Sequence, residues 1–252
     1  MLRERKSKIF PKIEKKTLKL MKNSFFLHFR DQIHNKNLTK IQKMAFPKWF
    51  YEGLGTAVFV VTSSLAYAQA DGATEQAFYY GAIFALCHYA FGENSGEGLF
   101  NPALSVGKYI IKGSGDLAGL FSIVIGQLLG AWIGIMFGAQ LNDNFAVQVM
   151  EAAADASFAQ SFIRHAVFVA VFVILFFSFD RNGHGMTMTI YMIFIFFLIV
   201  GFNGFVPNVA VHFGQMSIAN MNANDMVAVF GGFVGAFLGG LFYNHWGQVE
   251  EK

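Results

Sequence analysis

Six long apolar stretches dominate this chain and restrict it to a small set of folds. They lie near 48–69, 77–92, 116–138, 158–179, 186–205 and 226–246. Most approach the roughly 20 residues that a helix needs to cross a ~30 Å hydrocarbon core, although the second is short. The run VFVAVFVILFFSF is apolar on every face, which a surface helix of a water-soluble protein is not. With only 14% charged residues, the chain is predicted to be an all-α integral membrane protein.

Positive charge is distributed unevenly along the sequence. Of the 19 lysines and arginines, 14 precede the first apolar stretch or lie at its first residue. The connections near 69–76 and 139–157 carry acidic residues only, whereas Lys108, Lys112 and Arg181 lie in the other connections. Cytoplasmic loops are enriched in lysine and arginine. The pattern therefore predicts that the N-terminus and, after six spans, the C-terminus lie on the same, inside face.

Residues 1–47 form a basic N-terminal extension with a composition unlike that of the spans. One face of a helix would carry its apolar residues, which are Leu18, Met21, Phe25 and Phe29. Such a helix could lie on anionic lipid or bind a partner protein. A free basic tail is the third alternative. The abundance of basic over acidic residues is also typical of organelle-targeting segments.

A glycine-rich turn precedes Asn101, Pro102 and Ala103 and opens a short helical pattern that ends near Lys112. Proline is tolerated in the first turn of a helix, where its missing N–H has no intrahelical partner. At ~1.5 Å per residue, this segment crosses only about half of the hydrocarbon core. A half-length helix in a membrane protein usually directs its end at a cavity. The sequence therefore predicts a re-entrant half-helix.

A second, degraded copy of this motif follows the fifth apolar stretch. Asn208, Val209 and Ala210 begin another short apolar run, and each copy is preceded by two spans and followed by one. Because three spans per half is an odd number, the second half must be inverted relative to the first. We therefore expect a transmembrane domain over 48–252 with repeats near 48–138 and 158–246, comprising six transmembrane helices and two re-entrant half-helices.

These motifs resemble those of the aquaporins and aquaglyceroporins, the major intrinsic proteins. The similarity covers roughly 48–246 and rests on EGLGT in the first span, NPALSVG in the first half-helix, GQLLGA in the third span, and NVAVHFG in the second half-helix. The resemblance implies an aquaporin-like fold, a pore lined by the two Asn-containing motifs, and a homotetramer as the family's usual assembly.

The chain departs from the family at the narrowest point of the pore. Where the family has an arginine after the second motif, this chain has Val211. The residues aligned with the other members of this constriction are Tyr80, Phe196 and Phe205. Three aromatic rings and a valine supply apolar bulk without a cationic donor, which favours dewetting or direct occlusion. Whether Asn101 and Asn208 face solutes or only satisfy each other stays open.

Three polar residues in the spans are expected to have structural roles. The resemblance, together with the need to satisfy a turn at membrane depth, implies that the Glu52 carboxylate accepts N–H bonds from the first re-entrant turn. Gln127 matches the family's third-span glutamine. Counted back from Asp180, the fourth-span position equivalent to Glu52 is Arg164, a cation that cannot accept such bonds. Arg164 would need an anionic partner from Glu151, Asp155 or another subunit.

Other chemistry is absent from the sequence pattern. The seven histidines show no metal-ligand spacing, and no phosphate-binding loop, nucleophile elbow or nucleic-acid motif is recognisable. We expect no enzyme activity, no cofactor and no nucleic-acid partner.

Two functions therefore compete. One is an occluded, aquaporin-like structural or accessory subunit of a larger membrane complex, with protein partners bound through 1–47 and the Arg164 side. The mitochondrial inner membrane would suit this role. The alternative is a channel for water or a small neutral solute such as glycerol.

Overall fold

The computed structural model describes residues 46–113, 115–141, 157–180, 186–203, 206–216 and 223–247. Within these ranges the chain forms eight α-helices, six long and two short. The long helices are α1 (Lys48–Gln69), α2 (Ala73–Ser95), α4 (Leu117–Leu141), α5 (Phe158–Asp180), α6 (Met186–Asn203) and α8 (Ala223–Gly247); the short ones are α3 (Pro102–Lys112) and α7 (Val209–Met216). The extension over 1–47, apart from its last two residues, lies outside the described part of the chain.

The predicted all-α fold is confirmed, and the helix bounds agree with the apolar stretches. The second helix, Ala73–Ser95, is longer than the apolar run at 77–92, because polar residues occupy both of its ends. Three of the described helices, α4, α5 and α8, are long and apolar enough to cross a membrane by composition alone.

The outward faces of the long helices are apolar. Phe121 and Ile133 on α4 are more than half exposed, as are Phe230 and Trp246 on α8. Large apolar side chains at this density on a protein surface are compatible with lipid or a protein partner as the neighbour, and not with water.

The two short helices begin with the same cap. Asn101 has an extended backbone, and its side-chain Oδ1 accepts a hydrogen bond from the Ala103 N–H at 3.0 Å. Pro102 follows at the first helical position, and Gly113 ends α3 with a left-handed φ of 65°. At the start of α7, the Asn208 Oδ1 accepts the Ala210 N–H at 2.9 Å. Asparagine caps are favoured because they satisfy a free N–H at the helix end.

Glycines let the long helices of each half approach closely at their backbones. A methyl group at Gly134 of α4 would lie 2.8 Å from the Ala57 carbonyl oxygen. A methyl group at Gly130 would overlap the carbonyl oxygen of Gly53. Small residues spaced in this way are typical of helix pairs in membranes.

The second half repeats this packing. A methyl group at Gly239 of α8 would lie 2.7 Å from the Ala170 carbonyl oxygen. A methyl group at Gly235 would overlap the carbonyl oxygen of Ala166. The α1–α4 and α5–α8 pairs therefore share one register, which relates the two halves residue by residue.

This close packing predicts that Gly130→Ala destabilises the protein. The added methyl group would overlap the Gly53 carbonyl oxygen, so that α1 and α4 must separate. Overpacking of this kind costs about 1–3 kcal/mol. Thermal unfolding in detergent should show a lower midpoint. The control is Gly72→Ala, because a methyl group there meets no atom within 4 Å and φ is 179°. Equal midpoints for the two variants would contradict the packing account.

Candidate pore and helix-junction site

The two short helices meet at their N-termini through reciprocal hydrogen bonds. The Asn101 Nδ2 donates to the Pro207 carbonyl at 2.8 Å, and the Asn208 Nδ2 donates to the Phe100 carbonyl at 3.0 Å. The Val209 N–H also donates to the Asn101 Oδ1 at 3.3 Å. Each asparagine thus caps its own helix and binds the turn that precedes the other helix. This junction joins the two halves of the molecule.

The Glu52 carboxylate holds the turn before Asn101. Its two oxygens accept the Leu99 N–H at 3.1 Å and the Phe100 N–H at 2.8 Å. Phe100 adopts a φ of 46°, which is unusual for a residue other than glycine. The carboxylate therefore satisfies two buried donors in a turn that cannot form helical bonds. This geometry matches the role expected of Glu52.

Gln127 extends this network to α3 itself. Its Nε2 donates to the Glu52 Oε2 at 2.8 Å, and its Oε1 accepts the Ser105 hydroxyl at 3.1 Å. Glu52 and Gln127 are fully buried, and Ser105 is nearly so. One continuous chain of hydrogen bonds therefore joins α1, α4, α3 and the turn, so that all four must move together.

The second half places His165, and not Arg164, at the position equivalent to Glu52. Gly53 on α1 faces Gly130, and Ala166 on α5 faces Gly235 in the same way. Gly53 and Ala166 are therefore equivalent positions, and so are the residues that precede them, Glu52 and His165. Arg164 is exposed, whereas His165 is 5% exposed. The partners predicted for Arg164, Glu151 and Asp155, lie outside the described residues.

A histidine pair takes the place of the carboxylate network. The rings of His165 and His212 are perpendicular, with centroids 4.9 Å apart. The His212 Nε2 lies 2.9 Å from the Val206 carbonyl, to which a protonated nitrogen can donate. Pro207 occupies the position of Phe100 and has no N–H. The second turn therefore has one N–H group fewer to satisfy than the first, and its Val206 carbonyl accepts the Asn208 N–H at 2.8 Å in addition to its contact with His212.

Aromatic rings from several elements fill the interior beside the junction. Phe59 of α1 contacts Phe84 of α2 at 5.5 Å, and Phe196 of α6 lies 5.4 Å from both Phe84 and Phe172, measured between ring centroids. These four rings are fully buried. We call them, together with Tyr80, the aromatic cluster.

The structure brings together two of the four residues predicted to form the constriction. The rings of Tyr80 and Phe196 stack at 6.4 Å with an angle of 14° between their planes. Val211 is fully buried, while Phe205 lies outside the described residues. The predicted ring pair is therefore in contact, as part of a larger cluster.

The sequence motifs did not predict Phe59, Phe84 and Phe172 as members of this cluster. Part of the signal was available, because Phe84 follows Tyr80 by four residues and therefore lies on the same face of α2. Among the described residues, no group of three histidine, cysteine or acidic side chains could hold a metal ion.

Comparison with known proteins assigns this arrangement to a family. The family model described as major intrinsic protein matches residues 40–243. No curated protein matches the chain.

Two solved structures share the fold. The aquaglyceroporin from Plasmodium falciparum superposes with a TM-score of 0.68 at 17% identity, covering 81% of this chain and 98% of that one. An ion channel of the FNT family superposes with a TM-score of 0.57 at 14% identity, covering 85% of this chain and 93% of that one. At such identities the similarity shows the fold alone.

The Glu52 network predicts that Glu52→Gln destabilises the junction. The amide that replaces one carboxylate oxygen is a donor, so it cannot accept the N–H of Leu99 or Phe100. Each buried donor left without an acceptor costs about 1–3 kcal/mol. Unfolding in detergent should begin at lower temperature than in the parent protein. Ser122→Ala is the control, because the Ser122 hydroxyl is exposed and donates to the Ala118 carbonyl of its own helix. A Glu52→Gln variant as stable as this control would contradict the assigned role.

Proposed function

We propose that this chain, which belongs to the major intrinsic protein family, has an occluded pore and acts as a structural or accessory subunit of a larger membrane complex. The resemblance drawn from its motifs is confirmed at the level of the family. The chain is a multi-pass integral membrane protein with a channel fold. The occlusion and the subunit role go beyond that fold, and each rests on its own observations.

The absence of exposed surface at the junction and in the aromatic cluster supports occlusion. Asn101, Asn208 and Val211 have 0% of their surface exposed, as do all five members of the aromatic cluster. A pore that conducts water must leave polar groups of its lining accessible to a water molecule, so that they replace the hydrogen bonds that the water sheds. Zero exposure leaves no such passage along these side chains.

The chemistry of the blocked region favours the same conclusion. The aromatic cluster offers edges and faces of rings, and Val211 adds two methyl groups where the family has an arginine. Apolar constrictions close by dewetting even where they are not filled. The lost arginine also removes a charge that would help to exclude cations. We infer that the fold has been retained for its architecture and not for conduction or catalysis.

The role as a subunit rests on surfaces that a pore does not need. The extension over 1–47 concentrates basic charge, and Arg164 is exposed on a predominantly apolar helix. A charge at membrane depth is costly unless it is paired. We propose that a partner subunit supplies the acidic group for Arg164 and that 1–47 bind the same complex. A homotetramer would be compatible with such an assembly.

The cellular setting is part of the same proposal. We place both termini on the inside face, because the basic extension, Lys108 and Lys112 contrast with the acidic connection near 69–76. The mitochondrial inner membrane would suit a basic, targeting-like extension on a membrane subunit.

The alternative function is a channel for water or a small neutral solute such as glycerol. The observation that favours it is the surviving asparagine pair. Each amide has two N–H groups, and the bond to the opposite carbonyl uses only one of them. Rotation of the aromatic rings would then be required to give solutes access to the second N–H.

Permeability distinguishes the two functions. Vesicles containing the full chain should shrink under osmotic shock at the rate of protein-free vesicles, for both water and glycerol. Phe84→Ala combined with Phe196→Ala removes two touching rings and should raise water permeability several-fold. Phe121→Ala is the control, because it removes the same side chain from an exposed face of α4. Rapid shrinkage with the unmodified chain, abolished by Asn101→Ala, would establish the channel instead.

Deletion of residues 1–46 tests the subunit role separately. The truncated chain should still insert into membranes, because all of the described helices lie beyond residue 47. Its co-purification with the native complex should be lost. If the truncated chain assembles and migrates in a native gel as the full chain does, the extension is not the site of attachment.

A further inference from the structure

A cavity of about 230 Å³ lies where the first residue of α1, the last turns of α3 and the beginning of α4 meet. Its polar wall contains Lys48, Lys108 and Lys112, together with the carboxylates of Glu97 and Asp116. The function proposed above gives none of these residues a ligand, and it uses Lys108 and Lys112 only to orient the chain in the membrane. Three ammonium groups against two carboxylates leave the lining with a net positive charge.

The ion pairs inside this cavity are loose. The Glu97 Oε1 lies 3.6 Å from both the Lys108 Nζ and the Lys112 Nζ, so that one carboxylate is shared by two ammonium groups. The Lys112 side chain is 56% exposed, and exposed pairs contribute little to stability. Within the described residues, Lys48 has no salt bridge. The lysines therefore remain able to bind a further anion.

The depth of the cavity in a bilayer follows from the length of α3. This helix begins beside Asn101 at the junction and has 11 residues, which at ~1.5 Å each extend for about 16 Å. If the junction lies at the middle of a ~30 Å hydrocarbon core, Lys112 lies at its edge. The Lys112 ammonium group is therefore at the level of the lipid phosphates, and the long side chain of Lys108, about one turn earlier, can extend to the same level. Lys48 lines the same cavity.

The rest of the wall and its surroundings are apolar. Leu120 and Ile123 of α4 line the cavity. Leu117 and Phe121, on the same helix, are 52% and 57% exposed and are separated by four residues, so they form one stripe beside the cavity. A phosphate group in the cavity would have its acyl chains adjacent to this stripe. A soluble anion would make no use of it.

We propose that this cavity binds the headgroup phosphate of an anionic phospholipid, with Lys48, Lys108 and Lys112 as its ligands and the exposed face of α4 as the track for its acyl chains. Basic pockets between membrane helices are suited to such headgroups. The proposal rests on the family's bilayer location and does not depend on whether the pore conducts. Glu97 competes with the phosphate for the same two lysines.

Native mass spectrometry of the full chain in neutral detergent tests the proposal. Phosphatidylglycerol should be retained in preference to phosphatidylcholine with identical acyl chains. Each lysine-to-glutamine change at Lys48, Lys108 or Lys112 should weaken the binding of phosphatidylglycerol about fivefold, the effect expected for one basic residue near anionic lipid. Lys108→Arg with Lys112→Arg should retain binding, because the positive charge is kept.

Glu97→Gln separates a lipid site from a structural ion-pair network. The variant removes the competing carboxylate, so it should bind phosphatidylglycerol more tightly than the parent. Weaker binding after Glu97→Gln, or unchanged binding when all three lysines are glutamine, would overturn the proposal. Melting curves without phosphatidylglycerol show whether each variant is folded.

The source of the phosphate is tested with inorganic phosphate alone. It should not displace phosphatidylglycerol at equal concentration, because it lacks the contact with α4. Equal competition would assign the cavity to a soluble anion and overturn the lipid assignment.

Discussion

The structure depends on finding hydrogen-bond acceptors for the N–H groups of a turn that cannot form helical hydrogen bonds. Hydrocarbon offers no hydrogen-bonding partners, so an irregular segment at membrane depth must find them within the protein. The Glu52 carboxylate accepts two N–H groups from this turn and a third bond from Gln127. With the turn fixed, Asn101 is positioned to reach the carbonyl that precedes the other short helix. The joining of the two halves therefore follows from one buried carboxylate.

The two halves meet the same constraint with different chemistry. In the first half, Leu99 and Phe100 present donors, and a carboxylate accepts them. In the second half, Pro207 presents no donor, and the Val206 carbonyl lies within hydrogen-bonding distance of His212. Histidine can donate a hydrogen bond and a carboxylate cannot. The second turn thus offers one N–H group fewer to a side-chain acceptor, and its Val206 carbonyl also accepts the Asn208 N–H at 2.8 Å, while the pseudo-symmetric backbone is kept.

Much of the fold could be predicted from the sequence, because it follows from local signals. Span length, the asparagine and proline at the start of α3, and the repeated motif at Asn208 each have a direct physical meaning. The position equivalent to Glu52 was assigned one residue too early, to Arg164. It was counted from the end of α5, whereas the packing of Gly235 against Ala166 sets the register. The register of such close backbone packing is difficult to predict from a single sequence.

The aromatic cluster could be predicted only in part for a related reason. Tyr80 and Phe196 are predicted because they align with the residues that form the pore constriction in the family. Phe59, Phe84 and Phe172 join them through contacts between different helices. Such contacts depend on the tertiary arrangement, and a phenylalanine in a span is equally suited to face lipid. The 31 phenylalanines of this chain therefore did not distinguish interior from exterior.

The most direct test of the account is the reactivity of a thiol placed beside the junction. Val211→Cys in reconstituted vesicles should resist a small, water-soluble thiol reagent added on either side, as the buried native Cys87 should. Gly72→Cys, on an exposed connection, should react readily in the same vesicles. A channel wide enough for a small neutral solute such as glycerol would admit a reagent of the same size to the junction. Modification of Val211→Cys at a rate comparable to that of Gly72→Cys would contradict an occluded pore.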